Sequence, residues 1–404
     1  MMNDLFAQRV NPDVSSALAG LFPQDPNPTA VTFAAGSPNE QLFPVKEVQA
    51  AFNTAIDTQG AHLFQYQSAQ GNSALREKLV TRIAKWGNVT TTADNILLTV
   101  GGQQGVELVA KTLLDPGDDI IVEVPTYIGA LAAFDLYQPH YHAVPLQADG
   151  LDLDALETTL QQHPNVKLLY TVPDYHNPTG ITMSVAKRQQ LVALANRYHF
   201  IILEDTPYRD LGYEGAPLPA IKSFDTEGRV IFLSSFSKIL MPALRTGWLI
   251  ADGELRDAIL KMRLASDLET TGVTHAAINA YLDANDLDAH IQRMTTHYKQ
   301  QRDAMLQSLT HYFPDEALFT HPAGGFFDWV TLPQGIDTGR LMLDVISPQA
   351  HVTYVPATNF YPQRDVHNAL RLSFSGVNPT QIDAGMHRLG DQLKNAVHAA
   401  YPVF

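Results

Sequence analysis

Between residues 95 and 250 the chain repeats one pattern: a short apolar run, a turn rich in Gly, Pro, Asn or hydroxyl residues, then a helical stretch. The runs are Asn95–Val100 (NILLTV), Asp118–Val124 (DDIIVEV), Val166–Val172 (VKLLYTV), Phe200–Leu203 (FIIL) and Val230–Leu233 (VIFL). They are continuous rather than alternating, the pattern of strands covered on both faces. Helices are predicted over Gln104–Leu114, from after Tyr127 to Tyr137, over 152–163 and over Ser184–Tyr198. Parallel neighbours need a crossover, so this order implies an α/β fold built on a mostly parallel, doubly wound sheet. Such sheets bind ligands beyond the carboxyl ends of their strands, which makes the residues closing each run the ones to inspect.

The first run ends in Gly101-Gly102-Gln103, where a helix N-terminus offers free backbone N–H groups to an anion. The second ends at Pro125 and is followed by Tyr127, either a structural tyrosine or a group facing a ligand. The third opens into Pro173-Asp174-Tyr175-His176-Asn177-Pro178-Thr179-Gly180, a dense turn. The fourth ends in Glu204-Asp205-Thr206-Pro207-Tyr208. A carboxylate at a buried strand end needs a partner, so Asp205 either caps the next turn or holds a protonated ring nitrogen. The fifth leads through Ser234-Ser235-Phe236-Ser237 to Lys238, and then through Pro242 and Arg245 to Trp248-Leu249-Ile250. A lysine between buried segments either snorkels out or has its amine put to use, because desolvation favours the neutral, nucleophilic form. Serine hydroxyls and an arginine fork suit a phosphate. Lysine, hydroxyls and arginine together describe an anchor for pyridoxal 5′-phosphate.

Outside this region, helices are expected over Asn72–Trp86, about Gly253–Leu268 and Thr271–Thr310 with a break near 283–288, and around Val14–Leu21. A second, α+β region follows: a strand over Gly324–Val330, a helix near Thr338–Ile346, a short strand at Val352–Val355, an alternating strand at Ala369–Phe374 and a closing helix over Pro379–Ala399. Arg371 sits inside that alternating strand; it pairs with either a structural carboxylate or a substrate's. Gly36, in Phe33-Ala34-Ala35-Gly36-Ser37-Pro38, is either a plain turn or a point of close backbone approach. The divisions expected are an N-terminal arm at 1–45, a large cofactor-binding domain at 46–290 and a small α+β domain at 291–404 that the arm joins.

A chain of 404 residues with 45% hydrophobic and 17% charged content can bury a large core. Its net charge of −15 opposes a nucleic-acid or anionic-membrane surface, so any clustered basic groups are expected to hold a small anion. The absence of cysteine excludes disulfides, thiolate catalysis and cysteine-ligated metal; no metal site is expected. With no signal-like segment or membrane-length apolar run, a cytoplasmic location is expected.

NPTG at 177–180, EDTPY at 204–208, SSFSK to RTGW at 234–248 and LRLSFS at 370–375 together resemble the fold-type I pyridoxal-phosphate aminotransferases. The branch most resembled holds 2-aminoadipate and kynurenine aminotransferases and the aminotransferase-like domains of bacterial regulators. The resemblance implies that Lys238 bonds the cofactor and shuttles a proton, that Asp205 pairs with the ring nitrogen, and that Asn177 and Tyr208 bind the ring 3′-oxygen. Tyr127 would stack on the ring. Phosphate would be held by Gly102, Gln103, Ser235, Ser237, Arg245 and by Tyr66 of a second subunit, which implies a homodimer with a shared site. Arg371 would fork the substrate α-carboxylate, helped by Asn177 and the Gly36 backbone. The implied reaction moves an α-amino group from an aromatic, aliphatic or 2-aminoadipate-like L-amino acid to a 2-oxo acid such as 2-oxoglutarate. The alternatives are a β-eliminating C–S lyase and a non-catalytic amino-acid-sensing domain. Gly102, His176 and Ala357 depart from residues frequent in the branch, which bears on substrate fit rather than chemistry.

Overall fold

The computed structural model describes residues 5–10, 27 and 29–400. The helix expected around Val14–Leu21 lies outside the described residues. In chain order the strands are β1 (Val31–Thr32), β2 (Ile96–Thr99), β3 (Asp119–Val124), β4 (His140–Gln147), β5 (Gly150–Leu151), β6 (Leu168–Thr171), β7 (Ile201–Asp205), β8 (Val230–Ser235), β9 (Gly247–Ile250), β10 (Leu318–Phe319), β11 (Phe327–Thr331), β12 (Val352–Thr353), β13 (Val355–Pro356) and β14 (Ala369–Ser373). The longer helices are α1 (Val45–Gln59), α2 (Ser73–Gly87), α3 (Gly101–Leu113), α4 (Ile128–Asp135), α5 (Leu153–Gln162), α6 (Val185–Tyr198), α7 (Gly253–Asp267), α8 (Gly272–Ala284) and α9 (Leu287–Tyr312). The short α10 (Thr338–Leu341) runs into a π-helical segment, Met342–Ala350, before the closing α11 (Pro379–Ala400).

Eight strands form the main sheet in the order β2-β9-β8-β7-β6-β3-β4-β5. From β8 to β4 every pairing is parallel, while β9 runs antiparallel to both its neighbours and β5 folds back on β4. This is the mostly parallel, doubly wound α/β sheet that the alternating runs dictate. Successive residues of a strand face opposite sides, and the packing follows suit. Ile120, Val122, Leu168, Leu203 and Ile231 join Val106 and Val109 of α3 on one face. Ile121, Leu169, Ile202 and Val230 join Leu156 and Leu160 of α5 and Leu191 of α6 on the other. Helix starts are set by side-chain caps: Asn72 accepts from Leu75 N–H, Asp152 from the N–H groups of Asp154 and Ala155, and Ser184 from Lys187 N–H.

A second sheet, ordered β10-β11-β14-β13, is antiparallel and packs on α9 and α11 through Val330, Leu370, Leu372, Met305, Leu309, Met386 and Leu389. The N-terminal segment reaches the same region, because β1 pairs in parallel with β12 and Phe33 is buried in that core.

Several expectations need correction. The glycine turn at 101–103 is itself the first turn of α3, which starts three residues earlier than periodicity suggests. Residues 324–326 precede β11 rather than belong to it, since Gly324 and Gly325 lie against Leu211 and Tyr175 with no room for a Cβ. The strand expected at 352–355 is two short ones serving different sheets. Helix α1 and strand β4 were not foreseen. Among the described residues no helix is long and apolar enough to cross a membrane.

Candidate active site

Loops at the carboxyl end of the main sheet, with Phe327 and Arg371 of the second sheet, line a cavity of about 230 Å³. Of the predicted residues, Gly36, Gly102, Gln103, Tyr127, Asn177, Asp205, Tyr208, Ser235, Ser237, Lys238, Arg245 and Arg371 all line it. Tyr66 does not; it is 78% exposed on this chain.

Lys238 follows β8 and donates from Nζ to the Gly36 carbonyl at 2.7 Å. Burial, reinforced by the Arg371 and Arg245 guanidiniums, brings its amine down to about 8. Asp205 closes β7, and Tyr170 donates to its Oδ2 at 2.8 Å. Burial lifts the Asp205 carboxyl to about 7, against the downward pull of the Tyr170 hydroxyl and the Lys238 charge. Tyr170 is fully buried, lines the cavity and was missed from the sequence. Its signal was its place on the strand beside the one carrying Asp205, in register with Leu203 two residues before it.

Arg371 stands on β14 between Leu370 and Leu372, so strand alternation that buries the leucines turns the arginine the other way. Its guanidinium lies 4.3 Å from the Phe327 ring centre and 5.2 Å from that of Phe360. It donates to Asn177 Oδ1 at 2.9 Å and to the Ala34 carbonyl at 2.5 Å. Its Nε has no partner among the described residues. Burial pulls Arg371 down to about 10, still far above neutrality.

The α3 N-terminus, the Ser235 and Ser237 hydroxyls and Arg245 line the same cavity. The two hydroxyls are 2.8 Å apart, and Arg245 Nη2 donates to the Val100 carbonyl at 3.0 Å. A Cβ on Gly101 would lie 2.5 Å from Arg245 Nη2, whereas one on Gly102 would meet nothing within 4 Å. The backbone there is bare where α3 faces the cavity. Gln103 contributes at most its backbone, as its side-chain amide donates to the Gly129 carbonyl at 2.6 Å.

An open helix N-terminus with hydroxyls and an arginine, a semi-neutral lysine, a buried carboxylate and a second arginine with an unused donor fit a phosphorylated aldehyde cofactor and an anionic substrate together. On a doubly wound α/β sheet with strand-end loops supplying these groups, they define the fold-type I pyridoxal-phosphate enzymes.

Residues 29–389 match the family of class I and II aminotransferases, and the chain belongs to that family. It is an aminotransferase, and its cofactor is pyridoxal 5′-phosphate. It is 38% identical to the aromatic-amino-acid aminotransferase 1 of Thermococcus litoralis over 90% of this chain and 88% of that protein. To the 2-aminoadipate transaminase of Thermus thermophilus it is 31% identical, over 94% of each. The crystal structure of the kynurenine aminotransferase of Pyrococcus horikoshii superposes with a TM-score of 0.92 at 35% identity, covering 98% of both chains.

Proposed function

We propose that this aminotransferase takes the α-amino group of an aromatic, medium aliphatic or 2-aminoadipate-like L-amino acid and passes it to a 2-oxo acid such as 2-oxoglutarate. The reading rests on one observation: a single cavity is lined by two guanidiniums, Arg245 and Arg371, together with the Lys238 amine and the Asp205 carboxyl. Arg245, with Ser235, Ser237 and the Gly102 and Gln103 backbone at the α3 N-terminus, would hold the cofactor phosphate. That leaves Arg371 to fork the α-carboxylate of the substrate, with Asn177 and the Gly36 backbone assisting.

Pyridoxal phosphate, when bound, supplies an aldehyde for the substrate amine and a ring that withdraws electrons from the Cα–H bond. The protein supplies the rest. Lys238, with its amine near 8, is substantially neutral at slightly alkaline pH and would take the Cα proton and deliver it to the cofactor's former aldehyde carbon. Asp205, held by Tyr170, would keep the ring nitrogen protonated; Tyr127 would cover the ring face. Asn177 and Tyr208 would hold the ring oxygen. Arg371 fixes the rotation about Cα, an orientation effect worth several kcal/mol. The exposed Tyr66, absent from its own chain's cavity, suits the site of a second copy, so a homodimer with shared sites belongs to the proposal.

The test is a donor panel with 2-oxoglutarate on purified protein, alongside Lys238→Ala. The parent should fix the cofactor irreversibly on borohydride reduction and turn over at least one aromatic or aliphatic donor. Lys238→Ala should do neither. Pyruvate released without an acceptor would point instead to β-elimination.

A further inference from the structure

At the opposite end of the main sheet from the active site, Asp119, His142 and His163 bring one ligand atom each to within 4.8 Å of one another. Three elements meet there for reasons legible in the fold. Asp119 opens β3, and the parallel register sets it beside His140 at the start of β4. A strand repeats every two residues, so His140 and His142 share a face with Asp119 and Ile121. That face is covered by α5, whose Leu156 and Leu160 pack on Ile121, and His163 is the residue that caps the C-terminal end of α5. The cap therefore lands over the opening residues of both strands.

The polar groups are short of partners. His142 Nε2 lies 2.8 Å from Asp119 Oδ1, and His140 Nδ1 lies 3.8 Å from the same oxygen. The His163 ring has no hydrogen-bond partner among the described residues and instead stacks on His142, ring centres 3.8 Å apart. Among the described residues neither the Asp119 carboxylate nor the three imidazoles has an ion pair or hydrogen bond with a lysine or arginine side chain, while neighbouring Asp118 already has Lys167 at 2.6 Å. We propose that Asp119, His142 and His163 form a site for a borderline divalent cation of the zinc type, with His140 or water as fourth ligand. Two imidazoles and one carboxylate select such ions over calcium or magnesium, which prefer all-oxygen shells. Tetrahedral zinc with ligands at about 2.0–2.1 Å needs donor atoms roughly 3.4 Å apart. The His142–Asp119 pair at 2.8 Å must open slightly, and the His163 ring must swing off its stack, both side-chain movements at a solvent-accessible rim.

The site is separate from catalysis. Asp119 and Val124 bound a six-residue strand, so the cation would sit roughly 20 Å from the cofactor cavity. A cation there would cross-link β3, β4 and the end of α5.

Chelator-dialysed, cofactor-loaded enzyme titrated with Zn²⁺ by calorimetry should bind one ion per chain. Co²⁺ in its place should give the intense visible absorption of a four-coordinate ion. His142→Ala and His163→Ala should each weaken binding by at least about tenfold while leaving the transamination rate unchanged. No saturable binding at millimolar zinc would overturn the proposal. So would binding of equal strength in His142→Ala, or a weak octahedral Co²⁺ spectrum.

Discussion

Among the described residues Asp205 has one side-chain hydrogen-bond partner, and that partner helps set how much of it is ionised. The Tyr170 hydroxyl is buried 2.8 Å from Oδ2 and stabilises the charged carboxylate against its desolvation. Removing it in Tyr170→Phe leaves only the Lys238 charge to oppose burial, so the Asp205 carboxyl, already near 7, moves further up. A hydrogen bond to a charged group is worth about 1.5–3 kcal/mol, enough for a tenfold or larger effect. Tyr170→Phe apoenzyme should bind pyridoxal phosphate roughly tenfold more weakly at neutral pH. The acid limb of its binding–pH curve should move to higher pH, as followed by the visible band of the bound cofactor. At this scale the sequence was informative because lysine, aspartate and arginine at strand ends are costly and so conspicuous. Tyr170 was not conspicuous: a tyrosine inside LLYT reads as core, and only the pairing of β6 with β7 gives its hydroxyl a purpose.

Among elements, β11 carries a cost that the main sheet avoids. Its Phe327 faces the cavity, yet Asp328, one residue on, is fully buried with both carboxylate oxygens lacking hydrogen-bond partners among the described residues. Burial pushes its carboxyl well above the usual range, with only the charge of Arg302 opposing. A carboxyl held protonated in the folded chain but ionised when unfolded costs stability as pH rises from the ordinary carboxylate value towards its folded one. Asp328→Asn removes that dependence. Its melting temperature should match the parent near pH 4 and exceed it at pH 7–8 by an amount equivalent to about 1–3 kcal/mol. Calorimetry across that range would detect it, and a parent that gains stability relative to the variant on going alkaline would refute it. Most strands legible in advance had continuous apolar runs, and the alternating β14 was legible as well. β4, reading HYHAVPLQ, is half polar along its length and sits near the sheet edge. Helix α1 has three buried residues in fifteen, and its pairing with α8 is a tertiary matter that no local period announces.

Across the whole molecule, the order of β-runs and helices foretold the sheet because parallel connections admit few alternatives. What local pattern could not announce was the return of the N-terminal segment to pair with β12, which is set by a contact between residues 31 and 352. The exposed Tyr66 raises a question of the same scale. If it serves a second copy, Tyr66→Ala and Lys238→Ala chains damage different halves of a composite site. Dissociated and reassociated in equal amounts, these two weakened variants should recover about a quarter of parental activity, since half the dimers are mixed and each mixed dimer has one intact site. No recovery above the sum of the separate variants would argue against a shared site.

The connection between β8 and β9 holds Lys238 and Arg245 on a single stretch, beginning at Phe236 and ending at Thr246. Both are residues after which trypsin cuts, and Arg245 is exposed. On the proposed assignment, a cofactor bonded to the first and ion-paired with the second would clasp the stretch across its own width and mask both cleavage points. Trypsin should therefore nick cofactor-free chains between β8 and β9 and spare loaded ones, so that a gel lane reads the same occupancy as a spectrum.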